Sequence, residues 1–338
     1  MEGTEYMSRR ALVRISPEGL YCPLGDFWID PWKPVPTAVL THAHSDHARS
    51  GSAIYHAAQG SRLLLQKRLG AAVPLVVHAY GETFDLGEVR VSLHPAGHIL
   101  GSAQVRIESE GEVWVVTGDY KRQQDGTCKA FEPVSCDVLI TEATFGLPIY
   151  QWPETSDVAA DIFHWWQSNR ALGRNVLLAC YALGKAQRLL HALQEWTDQP
   201  VLTHGATEIL VEAYREEGVS LLPTIRVGEG KKNYQGELIL APPSALSSPW
   251  AKKFGDAEVG FASGWMQIRG NRRRRGYDRG FVLSDHADWD GLLRSIRESG
   301  ARTVYATHGY SHELARHLRD LGYDAEPLST LFEGEADT

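Results

Sequence analysis

Along the first 145 residues, short apolar stretches alternate with polar ones and stop abruptly at polar or charged residues. Ala38-Val39-Leu40 is followed at once by Thr41-His42. Residues 89–93 alternate with period two and lead to Gly97-His98, and residues 103–107 alternate again. Residues 113–116 run into Thr117-Gly118-Asp119, and Val138-Leu139-Ile140 runs into Thr141-Glu142. Alternation of this kind puts every second side chain on one face, so these stretches are predicted to be strands joined by short turns. A rigid strand that delivers a polar residue at its end is a common way for layered α/β proteins to build a site.

The pattern changes after Phe145-Gly146-Leu147-Pro148. Residues 154–168 read as a helix and 175–180 as a strand. Gly184 opens a helical pattern over 185–196. Residues 201–203 are strand-like and turn at His204-Gly205, and a helix follows over 207–216. Strand–helix alternation predicts a second, smaller parallel-sheet domain, closing near residue 260. The first pattern then returns, with strands at 259–262, 281–283 and 303–306 and a helix over 312–321. The second domain is therefore expected as an insertion: one domain in two parts, 1–147 and 263–338, with 148–262 between them. The last residues, 333–338, are expected to fray.

Composition narrows the function class. A chain of 338 residues has room for about two domains and a sizeable core. Lys and Arg total 34 against 42 Asp and Glu, a net charge of −8, which excludes a protein that is basic throughout. A local basic patch or a bound cation can still invert the field near a site. No apolar run reaches the length of a membrane span, and the first residues lack the apolar segment of a signal peptide. The four cysteines form no C-x-x-C pair, which suits a reducing compartment, and a cytoplasmic monomer is the expectation.

The fourteen histidines matter through their placement. In His42-Ala43-His44-Ser45-Asp46-His47, four metal-capable side chains fall within six residues just past a strand. His42 and His44 point the same way in an extended segment, and Asp46 and His47 turn to another side once the chain bends. One loop can thus serve two adjacent ions. His98, Asp119 and His308 are further candidates at strand ends. Imidazole and carboxylate ligands suit Zn and, less tightly, Mn or Fe.

These residues carry a resemblance. His42 to His47 resembles the HxHxDH signature of the metallo-β-lactamase fold, and Gly97-His98 and Thr117-Gly118-Asp119 resemble its next metal motifs. The resemblance extends to the β-CASP nuclease branch. Glu142 matches its motif A acid, His286 in Ser284-Asp285-His286-Ala287-Asp288 its motif B, and His308 in Thr307-His308-Gly309 its motif C. Within that branch the chain resembles the bacterial ligase-associated DNA exonucleases. The resemblance implies a four-layer αββα metallo-β-lactamase fold carrying a β-CASP α/β domain over 148–262. It implies two divalent metal ions, Zn or alternatively Mn. His42, His44 and His98 would hold the first, Asp46, His47 and His308 the second, and Asp119 both. The catalytic set would be Asp46, Asp119, Glu142 and His286, with His286 protonating the leaving oxygen or contacting the phosphate and Glu142 orienting it. Asp30 is expected to order the His42–His47 loop by hydrogen bonds.

The implied activity is two-metal phosphodiester hydrolysis of DNA from an end, on single strands, in repair or end processing. A DNA ligase and a helicase are implied as functional associates. The alternative is an RNA-processing nuclease of the same branch, because a His at motif C is typical of its RNA members. A small-molecule hydrolase would share only the lactamase fold, and a scaffold protein would have lost ligands that this chain keeps. For the substrate path, Arg269, Arg272, Arg273, Arg274, Arg275 and Arg279 place six guanidinium groups in eleven positions. Lys121, Arg122, Lys231, Lys232, Lys252 and Lys253 are expected to extend that basic groove. The turn at residues 181–187 is either a phosphate cradle or tight packing. Trp152 and Trp265 are the candidates for stacking bases. The eight histidines not assigned above, His56, His78 and His204 among them, are expected to be structural or exposed.

Overall fold

The computed structural model describes residues 11–229, 233–268, 270 and 276–331. Two compact units result. The first comprises residues up to Gln124, Cys128–Pro148 and the chain from His286 onward; the second comprises Asp125–Thr127 and Ile149–Asp285. Among the described residues the fold is mixed α/β with three sheets. No helix among them is long and apolar enough to cross a membrane.

The first unit holds two sheets. One has the order β1 (Arg14–Ser16), β2 (Gly19–Cys22), β3 (Phe27–Ile29), β4 (Thr37–Val39), β5 (Ile54–Ala58), β6 (Leu75–His78). It is antiparallel from β1 to β3 and parallel from β3 to β6. The other contains β7 (Thr83–Leu86), β8 (Val89–Pro95), β9 (Ala103–Ser109), β10 (Glu112–Val116), β11 (Val138–Glu142), β18 (Thr303–Thr307) and β19 (Asp324–Pro327), in the order β19-β18-β11-β10-β9-β8-β7. Antiparallel steps flank β9, whereas β10, β11, β18 and β19 are parallel neighbours. Strands β8, β10, β11 and β18 therefore run the same way and end at one edge.

Pleating divides the side chains of these strands. Trp114, Val116 and Ile140 join Leu20, Phe27, Ile29, Val39, Val91 and Val105 in a core between the two sheets. Val115, Leu139 and Val304 face the other way, onto Leu292 and Ile296 of α6 (Trp289–Ser299) and Leu314 and Leu318 of α7 (Ser311–Asp320). Burying each such side chain contributes on the order of 1.5–3 kcal/mol. The helix α1 (Arg62–Leu69) follows β5, inside the stretch expected to hold only strands and turns. Its leucines 63–65 are consecutive, so no helical period shows in the sequence.

The second unit is built on a wholly parallel sheet of β12 (Val176–Ala179), β13 (Val201–Thr203), β14 (Thr224–Arg226), β15 (Leu238–Ala241), β16 (Glu258–Ala262) and β17 (Arg279–Phe281), ordered β14-β13-β15-β12-β16-β17. Its helices are α2 (Thr155–Ala171), α3 (Lys185–Ala192), α4 (Gly205–Glu216) and the short α5 (Pro243–Leu246). The helical pattern read over 185–196 divides into α3 and a 3-10 turn at Leu193–Glu195. Residues 279–281, placed by sequence in the returning part of the first domain, pair with β16 and extend this third sheet.

Candidate metal centre

The candidate ligands lie where parallel strands end. Asp30 follows β3, His42 to His47 follow β4, His98 follows β8, Asp119 follows β10, Glu142 closes β11 and His308 follows β18. All belong to the first unit, as does His286. The turns that carry them need unusual backbone. Gly97 has φ +73°, and a Cβ there would stand 2.5 Å from the Lys121 carbonyl oxygen; Gly118 has φ +56°, and a Cβ would meet Thr41 at 2.6 Å. Glycine is therefore required beside His98 and Asp119. His308 itself has φ +64°, a conformation that costs a non-glycine residue energy and is often found at functional sites.

One set of donors is His42, His44, His98 and Asp119. His42 Nε2 is 3.1 Å and His98 Nε2 3.0 Å from His44 Nδ1. Asp119 Oδ2 stands 3.6 Å from His42 Nε2 and 3.8 Å from His98 Nε2, too far for hydrogen bonds. A second set surrounds the same carboxylate. His47 Nε2 is 3.5 Å from Asp119 Oδ2 and 3.6 Å from Asp46 Oδ2, and His308 Nε2 is 4.0 Å from Asp119 Oδ1.

The tautomers follow from the partners behind the rings. Thr41 donates its backbone N–H to Asp30 Oδ1 (2.7 Å) and its hydroxyl to Asp30 Oδ2 (2.5 Å). Its hydroxyl proton is thus committed, so His42 Nδ1–H donates to Thr41 Oγ1 at 2.9 Å and His42 Nε2 carries a lone pair. His47 Nδ1–H donates to Asp30 Oδ2 at 2.8 Å, so in the neutral ring the lone pair lies on Nε2, facing Asp46 and Asp119. Asp30 acts as the loop's anchor, in the way expected from the sequence. Thr41 and Arg68, whose Nε donates to the Ala43 carbonyl at 2.5 Å, complete the loop's support. Nothing in the spacing of Thr41 or Arg68 distinguishes them from ordinary loop and helix residues.

These donors fit divalent cations. His44 Nδ1 can hold one proton at most between the two ring nitrogens that approach it at about 3 Å, and nitrogen and oxygen ligands of one Zn ion stand about that far apart. Asp46 Oδ2 and Asp119 Oδ1 are buried without a hydrogen-bond partner. The electrostatics agree. Burial pushes Asp119 up to about 7. Burial and neighbouring imidazoles hold His42 well below its usual value, and burial takes His308 down to about 3. At His47, burial opposes the charged ring, but Asp119, Asp46 and Asp30 outweigh it and carry the pKa up to about 10. The acids around His47 thus favour a positive charge, which its protonated ring carries in the metal-free protein and a bound cation would supply instead.

Beside it stands a buried pair. His286 Nδ1–H donates to Glu142 Oε2 at 2.8 Å, and Glu142 Oε1 accepts the Tyr120 backbone N–H at 2.7 Å. The His286 and His98 rings are 4.9 Å apart. Although burial disfavours the carboxylate, the His286 ring and the hydrogen bonds around Glu142 hold its pKa below the usual range.

The basic residues divide differently. Arg269, Arg272, Arg273, Arg274, Arg275, Lys231, Lys232 and the tail from residue 333 lie outside the described residues. Arg279 lies in β17 with its guanidinium 5.1 Å from the Phe281 ring centroid. Lys121 is buried, and Arg122 pairs with Glu298 at 2.7 Å, so neither lines an open groove. Lys185 is buried as well, 3.6 Å from Asp285, which makes the 181–187 turn a packing feature. Trp152 and Trp265 are half-buried on either side of Tyr150, whereas Trp165, Trp166 and Trp289 are core residues. His94 pairs with Glu132 at 3.0 Å.

No family model matches the chain. A protein of unknown function from Enterococcus faecalis V583 has the same general fold, with a TM-score of 0.60 at 12% identity, over 87% of this chain and 79% of that one. The chain is 37% identical over 120 residues to endoribonuclease ysh-1 of Neurospora crassa, and 38% identical over 126 residues to cleavage and polyadenylation specificity factor 73 of Drosophila melanogaster. These matches cover 35% and 36% of this chain and 14% and 18% of those proteins. Along 91% of its length the chain is 33% identical to a protein of Opitutus terrae named "Probable DNA ligase". It spans only 30% of that protein, so its similarity reaches proteins named for nucleic-acid processing while matching a minor part of each.

Proposed function

We propose that this chain is a metal-dependent phosphodiesterase of the metallo-β-lactamase fold with a β-CASP insertion, and that it hydrolyses single-stranded DNA from an end. The observation that carries this reading is the convergence of five imidazoles from three strand ends, those of β4, β8 and β18, on Asp119, with the Glu142–His286 pair alongside. His42, His44 and His98 would hold one ion, Asp46, His47 and His308 another, and Asp119 both. Two divalent ions so held would supply Lewis acidity to the phosphate and an acidified water as nucleophile. The protein's own groups do the rest. Asp30 and Thr41 lock the ring orientations. Glu142 holds His286 by Nδ1, so His286 would protonate the departing oxygen from Nε2, and the carboxylate stabilises the charged ring.

DNA is favoured by the similarity that extends along nearly the whole chain to the "Probable DNA ligase". Ligase and helicase association belongs to the same reading. RNA cleavage is the second reading, favoured by His308 and by the relative named an endoribonuclease. The test is metal-loaded protein on matched single-stranded DNA and RNA, labelled at the 5′ or the 3′ end. Shortening of DNA from one end by the wild type, and none by His44→Ala, is expected. Cleavage by purified His44→Ala equal to wild type would refute the metal reading, and cleavage of RNA alone would replace DNA by RNA as the substrate.

A further inference from the structure

We propose that the carboxyl edge of the third sheet holds a separate contact for single-stranded nucleic acid. There His204, Arg226 and Lys253 take a backbone phosphate and Trp250 takes the adjoining base. The choice of ligand rests on the nuclease reading, and the residues all belong to the second unit.

Topology provides the first argument. Strands β13 and β15 are neighbours. From β13 the chain leaves outward to β14, and from β15 it leaves the opposite way, past β12 to β16. Where successive connections diverge, a crevice opens at the strands' carboxyl ends, and open α/β sheets bind ligands there. His204 directly follows β13, its backbone N–H bonded to the Leu240 carbonyl of β15 at 2.9 Å. Trp250 and Lys253 lie in the connection after β15, and Arg226 ends β14 on the far side of β13.

The side chains provide the second. His204 Nδ1 accepts the Ala206 backbone N–H at 3.1 Å, so the neutral ring keeps its proton on Nε2, as a donor. Arg226 is half-exposed, and its guanidinium lies against Gly205, where a Cβ would stand 3.2 Å from Nε and Nη2. Positive charge from Arg226 and Lys253 reaches His204 and, after burial, holds its pKa below the usual value. Arg226 Nη1 pairs with Glu229 at 3.6 Å, an exposed bridge weak enough for a phosphate to compete with, and Glu208 is bonded by the Thr203 and Thr224 hydroxyls. Trp250 is fixed by T-shaped contacts at 4.9 Å with both His204 and the buried Phe254. Guanidinium and ammonium donors match a phosphate, and an immobilised indole stacks any base.

Binding of a fluorescent twelve-nucleotide single strand to the full chain, followed by anisotropy in EDTA, tests this without catalysis. Arg226→Gln/Lys253→Gln alters only exposed positions. It is expected to weaken binding about tenfold at low salt and to flatten the log–log salt dependence by about 0.7 for each phosphate that the variant no longer neutralises. Trp250→Ala is expected to weaken binding about fivefold with the slope unchanged, and Trp250→Phe to restore it. Unchanged affinity and slope in the double variant would overturn the proposal. So would displacement of the strand by an equal concentration of deoxyadenosine monophosphate, which would mark a mononucleotide site. The nuclease reading is judged separately, by metal-dependent cleavage of a chromogenic phosphodiester by the wild type, so either idea can fail alone.

Discussion

Replacing Asp30 by Asn isolates how the metal centre is oriented. Asp30 is 2% exposed and has φ +43°, a backbone conformation that Asn tolerates as well as Asp, so the substitution adds no backbone strain. The carboxylate accepts three hydrogen bonds: two from Thr41 on both oxygens and one from His47 Nδ1 on Oδ2. An amide keeps one acceptor and turns the other position into a donor. With its oxygen toward the Thr41 backbone N–H, the new NH2 group faces His47 Nδ1, and His47 must move its proton to Nε2. That nitrogen is the one facing Asp46 and Asp119, so the ligand lone pair is lost. Loss of a ligand's orienting partner costs about 10–100-fold in metal affinity. Weakening the buried, charge-assisted bonds removes about 2 kcal/mol of stability in the metal-free protein. Metal titration against a competing chelator and thermal melting in EDTA measure the two effects separately. Wild-type metal affinity in a folded Asp30→Asn protein would refute the argument from the tautomer, whatever the melting temperature.

Two other outcomes follow from buried charge. Burial and the neighbouring His78 lower His56 to about 4, below the ordinary 6.5, so the unfolded chain takes up the proton first as the solution is acidified. The stabilisation is present above pH 6.5 and is lost as pH falls toward 4, by about 1–2 kcal/mol once solvent screening is allowed for. Melting temperatures at pH 7 and pH 4.5 should therefore differ less for His56→Gln than for the wild type, and an equal difference would count against the reading. Arg188 is buried and bonded to Asp125, Asp285 and the Ser284 carbonyl. Arg188→Met leaves two buried carboxylates without that partner and should cost about 3–5 kcal/mol in denaturant unfolding. A loss below about 1 kcal/mol would show that the carboxylates find other compensation.

The site was legible in the sequence where its chemistry is local. His42 to His47 share one short loop, so their spacing is a property of the chain itself. Gly97-His98 and Gly118-Asp119 declare themselves because only glycine fits the turns that present those ligands. The strands that end at these residues were visible through their apolar runs, and the alternation of strand and helix announced the parallel sheet of the second unit. Tertiary structure decided the rest, because it depends on partners distant in the chain. The three-residue strands β1 and β3 are too short to show a period and exist through their pairing with β2. Whether Lys185 met solvent, a phosphate or Asp285 depended on burial, which a string of residues does not encode locally. The joining of His286 to Glu142 across 144 positions, and the order of the third sheet that brings His204 beside Trp250, were settled by packing. Sequence determined which donors the protein owns and in which loops they lie. Only folding determined which atoms face one another, since tautomer, desolvation and charge at each donor are set by neighbours that the chain brings together from afar.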